Sequence, residues 1–153
     1  MTTRALFRDD AYLTQCEATV IAVDEHGILL DQTVFYPLGG GQAGDTGALT
    51  LADGTRIEIA DTRKAKFDGA APDDAIHVPA PGQQALLARL SSGARVSAEI
   101  DWTRRYRHMR LHTASHLMCA VLPYPVDGCS ITSDYARLDF ATVVCTPFES
   151  GAT

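Results

Sequence analysis

One break in pattern constrains this chain more than anything else in it. From Gly27 to Gly93, glycine and proline interrupt the sequence repeatedly; from Thr103 to Leu122 neither occurs, and the run stops at Pro123. Glycine and proline punctuate turns, so a long run free of both, closed by a proline, reads as a helix. Asp101 or Thr103 is placed to cap its first turn. A boundary near Asp101 therefore separates a strand-and-turn region, residues 1–100, from a helical start to a second region, residues 101–153.

The first region reads as short strands. Cys16 to Val23 and Ile28 to Leu30 flank the turn Asp24-Glu25-His26-Gly27. Ala48 to Leu51 and Thr55 to Ala60 flank Ala52-Asp53-Gly54, and the second arm alternates as TRIEIA. Glycine at those turns accepts a positive φ without steric cost. Ala75 to Val78 and the alternating Ala94 to Ile100 add two more strands, and Gln83 to Leu90 reads as a short helix. Short strands at this spacing predict a small barrel or curled sheet. Beyond Pro123, Ala136 to Val144 is strand-like and Phe148 to Thr153 a loose end.

A hydrophobic fraction of 46% is enough for a core, and 21% charged residues argue against wholesale disorder. No apolar run reaches the length of a membrane span, and Met1 to Asp10 lacks the apolar stretch of a signal peptide. No membrane contact and a cytoplasmic location are the expectations. In that compartment the scattered Cys16, Cys119, Cys129 and Cys145 are expected to be reduced thiols. The formal net charge of −6 disfavours general coating of nucleic acid. Yet Arg104, Arg105, Arg107 and Arg110 fall in WTRRYRHMR with no acid among them. Such a strip suits a local phosphate contact, or simply a solvated helix start; charge alone favours the second.

His112 and His116 lie four apart on the expected helix, so their rings share a face and can share a metal ion. The intervening Thr113-Ala114-Ser115 lacks the glutamate of HExxH, so no general base accompanies them. Two histidines at this spacing are also common as structural or solvated residues. Further ligands would come from Cys16, Cys129, Cys145, His26, His77 or His108, none of which forms a second pair; Cys145 with Glu149 is the nearest to one. The second feature is Gly39-Gly40-Gly41-Gln42. Three glycines let backbone approach a ligand and present free N–H groups, and Gln42 adds an amide that donates and accepts. No lysine follows, so this is no nucleotide P-loop.

Together, the stretches TVFYPLGGGQAGDTG (Thr33 to Gly47), DWTRRYRHMRLHTASHL (Asp101 to Leu117) and ARLDF (Ala136 to Phe140) resemble the signatures of the alanyl-tRNA synthetase editing domain and its free-standing relatives, the AlaX trans-editing proteins. The resemblance covers roughly Leu6 to Phe140. It implies an α+β fold: an N-terminal β-barrel-like lobe, then a partial editing lobe with a long helix on an antiparallel sheet. It implies zinc-dependent hydrolysis of Ser-tRNA(Ala), and of Gly-tRNA(Ala) as a further substrate. An alanine pocket cannot fully reject glycine, which is smaller, or serine, which adds only a hydroxyl, so a second site must remove the errors.

Residue roles follow from the same resemblance. His112 and His116 match two of the family's zinc ligands; Thr33 matches the position that recognises the serine hydroxyl; Gly39 to Gln42 match the loop that approaches the reacting end of the tRNA. Arg104, Arg105, Arg107 and Arg110 would meet acceptor-stem phosphates. Family members carry their other zinc ligands in a later Cys-x-x-x-His pair, and no CxxxH occurs here. The expectation is a half-built metal site, through truncation, degeneration or completion by another chain. A helix face left apolar would favour a homo-oligomer or a completing partner. Two functions remain open: a hydrolase acting on tRNA(Ala), and a non-catalytic tRNA- or protein-binding module that keeps the fold.

Overall fold

The structure is a computed structural model that describes residues 2–142. It opens with β1 (Arg4–Ala5) and α1 (Leu6–Asp9), followed by β2 (Gln15–Asp24), β3 (Gly27–Leu30) and β4 (Gln32–Thr33). Then come β5 (Gly47–Leu51), β6 (Arg56–Lys64), β7 (Ala75–Pro79), α2 (Gln84–Leu87) and β8 (Arg95–Ile100). The long helix α3 (Trp102–Val121) and the hairpin of β9 (Val126–Ile131) and β10 (Ala136–Phe140) complete the fold. This is the α+β class expected from the sequence.

Strands β2-β3-β7-β6-β5-β8 close into an antiparallel barrel. Closure follows from alternation: Ile57 and Ile59 on β6, and Val96, Ala98 and Ile100 on β8, turn inward while their neighbours face out. Shifts of register between Val20 and Ala22, and between Ile59 and Asp61, give β2 and β6 the extra bend that a closed sheet requires. Gly27 begins β3 at φ 141°, and a Cβ there would lie 2.4 Å from the His77 carbonyl oxygen, so only glycine lets β3 and β7 meet.

All four residues of β3 are buried. Its outer side is covered by the N-terminal segment, where Thr3 Oγ1 donates to the Leu30 carbonyl at 2.8 Å and β1 runs parallel to β4. Val34, Phe35 and Leu90 join the same core. The short helix is briefer than its sequence suggested, four residues from Gln84, because Gly and Ser at Ser91-Ser92-Gly93 turn the chain into β8.

Helix α3 follows β8 after the single residue Asp101, whose carboxylate accepts from Arg104 N at 3.1 Å. Asp101, not Thr103, is the cap. The helix ends where Leu122 turns extended ahead of Pro123. Its first half packs on the barrel and buries Arg105 and His108; Leu117, Met118 and Val121 at the far end are exposed. The β9–β10 hairpin lies against α3. The strand expected over Ala136 to Val144 ends at Phe140, and Val143 onward, with Cys145 and Glu149, lies outside the described residues.

Candidate active site

The segment after β4 carries no charge from Gln32 to Gly44 and ends at Asp45. Inside it, Gly39 N donates to the Gln42 carbonyl at 3.1 Å, and Gln42 N to the Gly39 carbonyl at 3.0 Å. Gly40 and Gly41, at φ 58° and 79°, fill the two central places of this tight turn, which demand a positive φ. Gly41 is constrained twice, since a Cβ would lie 2.7 Å from Cys129 Sγ. The turn is laced to β9: Ile131 N donates to the Gly41 carbonyl at 2.7 Å and Ala43 N to the Ile131 carbonyl at 3.1 Å. Tyr36 Oη donates to the Gly39 carbonyl at 3.1 Å.

Beneath the turn lies a buried ion pair. Arg105 comes in from α3 and bonds Asp45 Oδ2, and its NH1 also reaches the Val34 carbonyl at 3.3 Å. Both side chains are almost wholly inaccessible, at 3% and 1%. Asp45 also accepts from Tyr36 N at 2.9 Å, and the guanidinium lies 5.6 Å from the Tyr36 ring centroid. Burial pushes the Asp45 carboxyl upward and Arg105 draws it back. The pair fastens helix, loop and Tyr36 together at the point where the turn needs support. Asp45 was legible as the first charge after Asp31, yet sequence reasoning gave it no role.

Above it, the structure brings Gln42 and the helix histidines together. Gln42 Oε1 accepts from His112 Nδ1 at 2.9 Å. An amide oxygen only accepts, so Nδ1 carries the proton and Nε2 keeps a lone pair. The His112 and His116 rings stack at 5.0 Å and 15°. Burial, then the neighbouring His116, lowers the His112 pKa, which keeps the ring neutral at pH 7. His116 is exposed rather than set among apolar residues.

A cleft of about 310 Å³ opens on Gln42, lined also by Phe7, Tyr36, Gly40, Lys64 and Met109; neither histidine lines it. Two imidazoles on one helix face, one with its tautomer fixed by an amide oxygen, suit a metal such as zinc. They amount to half a site: among the described residues, no group of three or more His, Cys, Asp or Glu could hold a metal ion.

The other expected residues lie elsewhere. Thr33 is fully buried; its hydroxyl accepts from Phe35 N at 3.0 Å and donates to His77 Nε2 at 2.7 Å. His77 Nδ1 donates to the Ile28 carbonyl at 2.9 Å, and burial pushes this histidine down to about 4, so it is neutral. His108 is buried with neither ring nitrogen bonded, and burial with Arg104 and Arg105 holds it down to about 4. Arg104 NH1 donates to the Gly44 carbonyl at 2.7 Å. Of the four arginines, Arg107 and Arg110 are exposed, Arg110 over the Tyr106 ring. Cys16 is partly buried and its thiol is pushed up to about 11, which makes it a poor ligand.

The chain matches known proteins over most of its length. Residues 4–104 match the family described as tRNA synthetases class II (A). The alanyl-tRNA editing protein AlaX-M of Methanosarcina mazei is 39% identical over 145 residues, 91% of this chain and 55% of that protein. The AlaX-M protein of Methanosarcina barkeri is 38% identical over 93% of this chain and 58% of its own length. The alanine–tRNA ligase of Ignicoccus hospitalis is 37% identical over 90% of this chain and 14% of the ligase. The chain thus spans a little over half the length of the AlaX-M relatives it matches.

Proposed function

Since the chain belongs to the class II (A) tRNA synthetase family, among the alanyl-tRNA editing proteins, we propose that it takes part in hydrolysing the ester of mischarged tRNA(Ala), with serine as the amino acid removed and glycine as a second. The observation that carries this reading is the Gln42–His112 hydrogen bond of 2.9 Å, which joins the glycine turn, and with it the cleft that Gln42 lines, to the helix.

Hydrolysis adds water to the ester carbonyl carbon, breaks the bond to the ribose oxygen, and returns a proton to that oxygen. The turn suits the reacting end, because its two internal bonds use the N–H groups of Gly39 and Gln42 and leave those of Gly40 and Gly41 for a ligand oxygen. His112 and His116 would hold the zinc ion that the family resemblance implies, with donors still to be supplied from beyond the described residues. Bound there, zinc would polarise the ester carbonyl or orient a water. Gln42 holds His112 in the tautomer that offers Nε2. Thr33 keeps one lone pair after its bonds to Phe35 and His77, enough to accept from a serine hydroxyl if the loop opens, since the residue is fully buried. Arg107 and Arg110, exposed on α3, would meet acceptor-stem phosphates, whereas Arg104 and Arg105 are engaged internally.

A second reading, a tRNA-binding module without chemistry, is favoured by the lack of a third metal donor among the described residues. Deacylation of Ser-tRNA(Ala) with added zinc, compared between the chain and its His112→Ala/His116→Ala variant, separates the two. Activity lost in the variant supports the hydrolase. Binding of tRNA(Ala) with no deacylation by either protein supports the binding module.

A further inference from the structure

The chain has two lysines in all, and both fall in Arg63-Lys64-Ala65-Lys66-Phe67, at the end of β6. In a protein of net charge −6 this is an unusual concentration. Most arginines have an acid within reach: Arg4 pairs with Asp9, Arg8 with Asp73, Arg56 with Glu58, Arg63 with Asp61, Arg89 with Asp53, Arg105 with Asp45 and Arg137 with Asp139. Among the described residues, neither lysine is in an ion pair. Both are exposed.

They flank a groove of about 750 Å³ on the outside of the barrel, lined by Arg63, Lys64, Lys66, Phe67, Leu38 and His26 among others, with Glu25 as its acidic lining residue. Lys64 lines the active-site cleft as well, so it stands where groove and cleft meet. Its Cε comes within 3.3 Å of the Cβ position of Gly39, and Leu38 N donates to the Thr62 carbonyl at 2.9 Å. The basic segment is therefore tied to the glycine turn by backbone. Phe67 and Leu38 are 46% and 51% exposed, an apolar surface beside the cations.

We propose that this groove is the track along which an unpaired RNA 3′ end reaches the cleft, with phosphates on Lys64 and Lys66 and a base stacked on Phe67. The proposal rests on the editing reading for its substrate. Cations interleaved with an exposed aromatic ring are what single strands bind, because a duplex hides its base faces. The track lies on the barrel, on a different element from the exposed arginines of α3.

Binding of a fluorescent single-stranded RNA ending in CCA, and of a blunt duplex of equal length, would be followed by anisotropy over a range of salt with the full chain. The wild type is expected to favour the single strand. Lys64→Gln/Lys66→Gln should weaken it and reduce the slope of log affinity on log salt by about 1.4, two phosphate contacts' worth. Phe67→Ala should cost about fivefold or more for the single strand, with the slope unchanged. Arg89→Gln/Arg95→Gln, equal in charge and remote in sequence, should keep wild-type preference for the single strand. Lysine and phenylalanine variants that bind like the wild type would overturn the track and leave the editing reading intact. Loss in those variants, beside a wild type that does not deacylate Ser-tRNA(Ala), would sustain the track and remove the enzyme. A wild type that binds neither RNA would remove both.

Discussion

Replacing Arg105 by methionine keeps an unbranched stem and deletes the charged guanidinium. Asp45 would then be a carboxylate only 1% accessible, with Oδ1 already unbonded and Oδ2 left with only Tyr36 N. Removing one partner of a buried pair costs about 3–5 kcal/mol, because the remaining charge has neither water nor counter-ion. The Val34 carbonyl, at 3.3 Å a long acceptor, adds little to that figure. For a chain of this size the loss corresponds to a fall in Tm of roughly 6–20 °C. Asp45→Asn/Arg105→Met should recover at least about 2 kcal/mol of it, since asparagine still accepts from Tyr36 N and no buried charge remains. Urea unfolding of both single variants and the double at pH 7 gives the coupling directly. Single variants within about 1 kcal/mol of wild type, or a double variant as unstable as the sum, would refute a buried ion pair as the support of the loop.

Two further outcomes follow from the same geometry. His77 titrates near 4 in the folded protein and near 6.5 when unfolded, so its contribution is complete above about pH 6.5 and disappears as pH falls toward 4, a loss of about 3 kcal/mol. The stability difference between wild type and His77→Gln should therefore shrink between pH 7.5 and 5, and a constant difference in urea unfolding would contradict this. Gly41→Ala meets Cys129 Sγ at 2.7 Å and the Cys129 carbonyl at 3.0 Å while holding φ at 79°, so deacylation should fall at least tenfold if the turn positions the ester. Cys129→Ala should relieve only the sulfur contact; full rescue would mean that backbone strain at Gly41 is unimportant.

What the sequence determined by itself was local order. The turns at Gly27 and Gly54, the alternation in β6 and β8 and the stop at Pro123 each depend on a few adjacent residues, and each was legible; the helix cap was narrowed to Asp101 or Thr103. The spacing of His112 and His116 fixed their shared face for the same reason. Tertiary structure decided which distant groups meet. Gln42 and His112 are 70 residues apart, Thr33 and His77 are 44 apart, and only closure of the barrel and docking of α3 bring them into contact. The arginines show the limit most clearly. From charge alone Arg105 and Arg107 are equivalent, yet one helix face turns Arg105 inward to Asp45 while Arg107 stays in water. A side chain's charge is written in the sequence; whether it binds a phosphate or holds a loop depends on what the folded chain places opposite it.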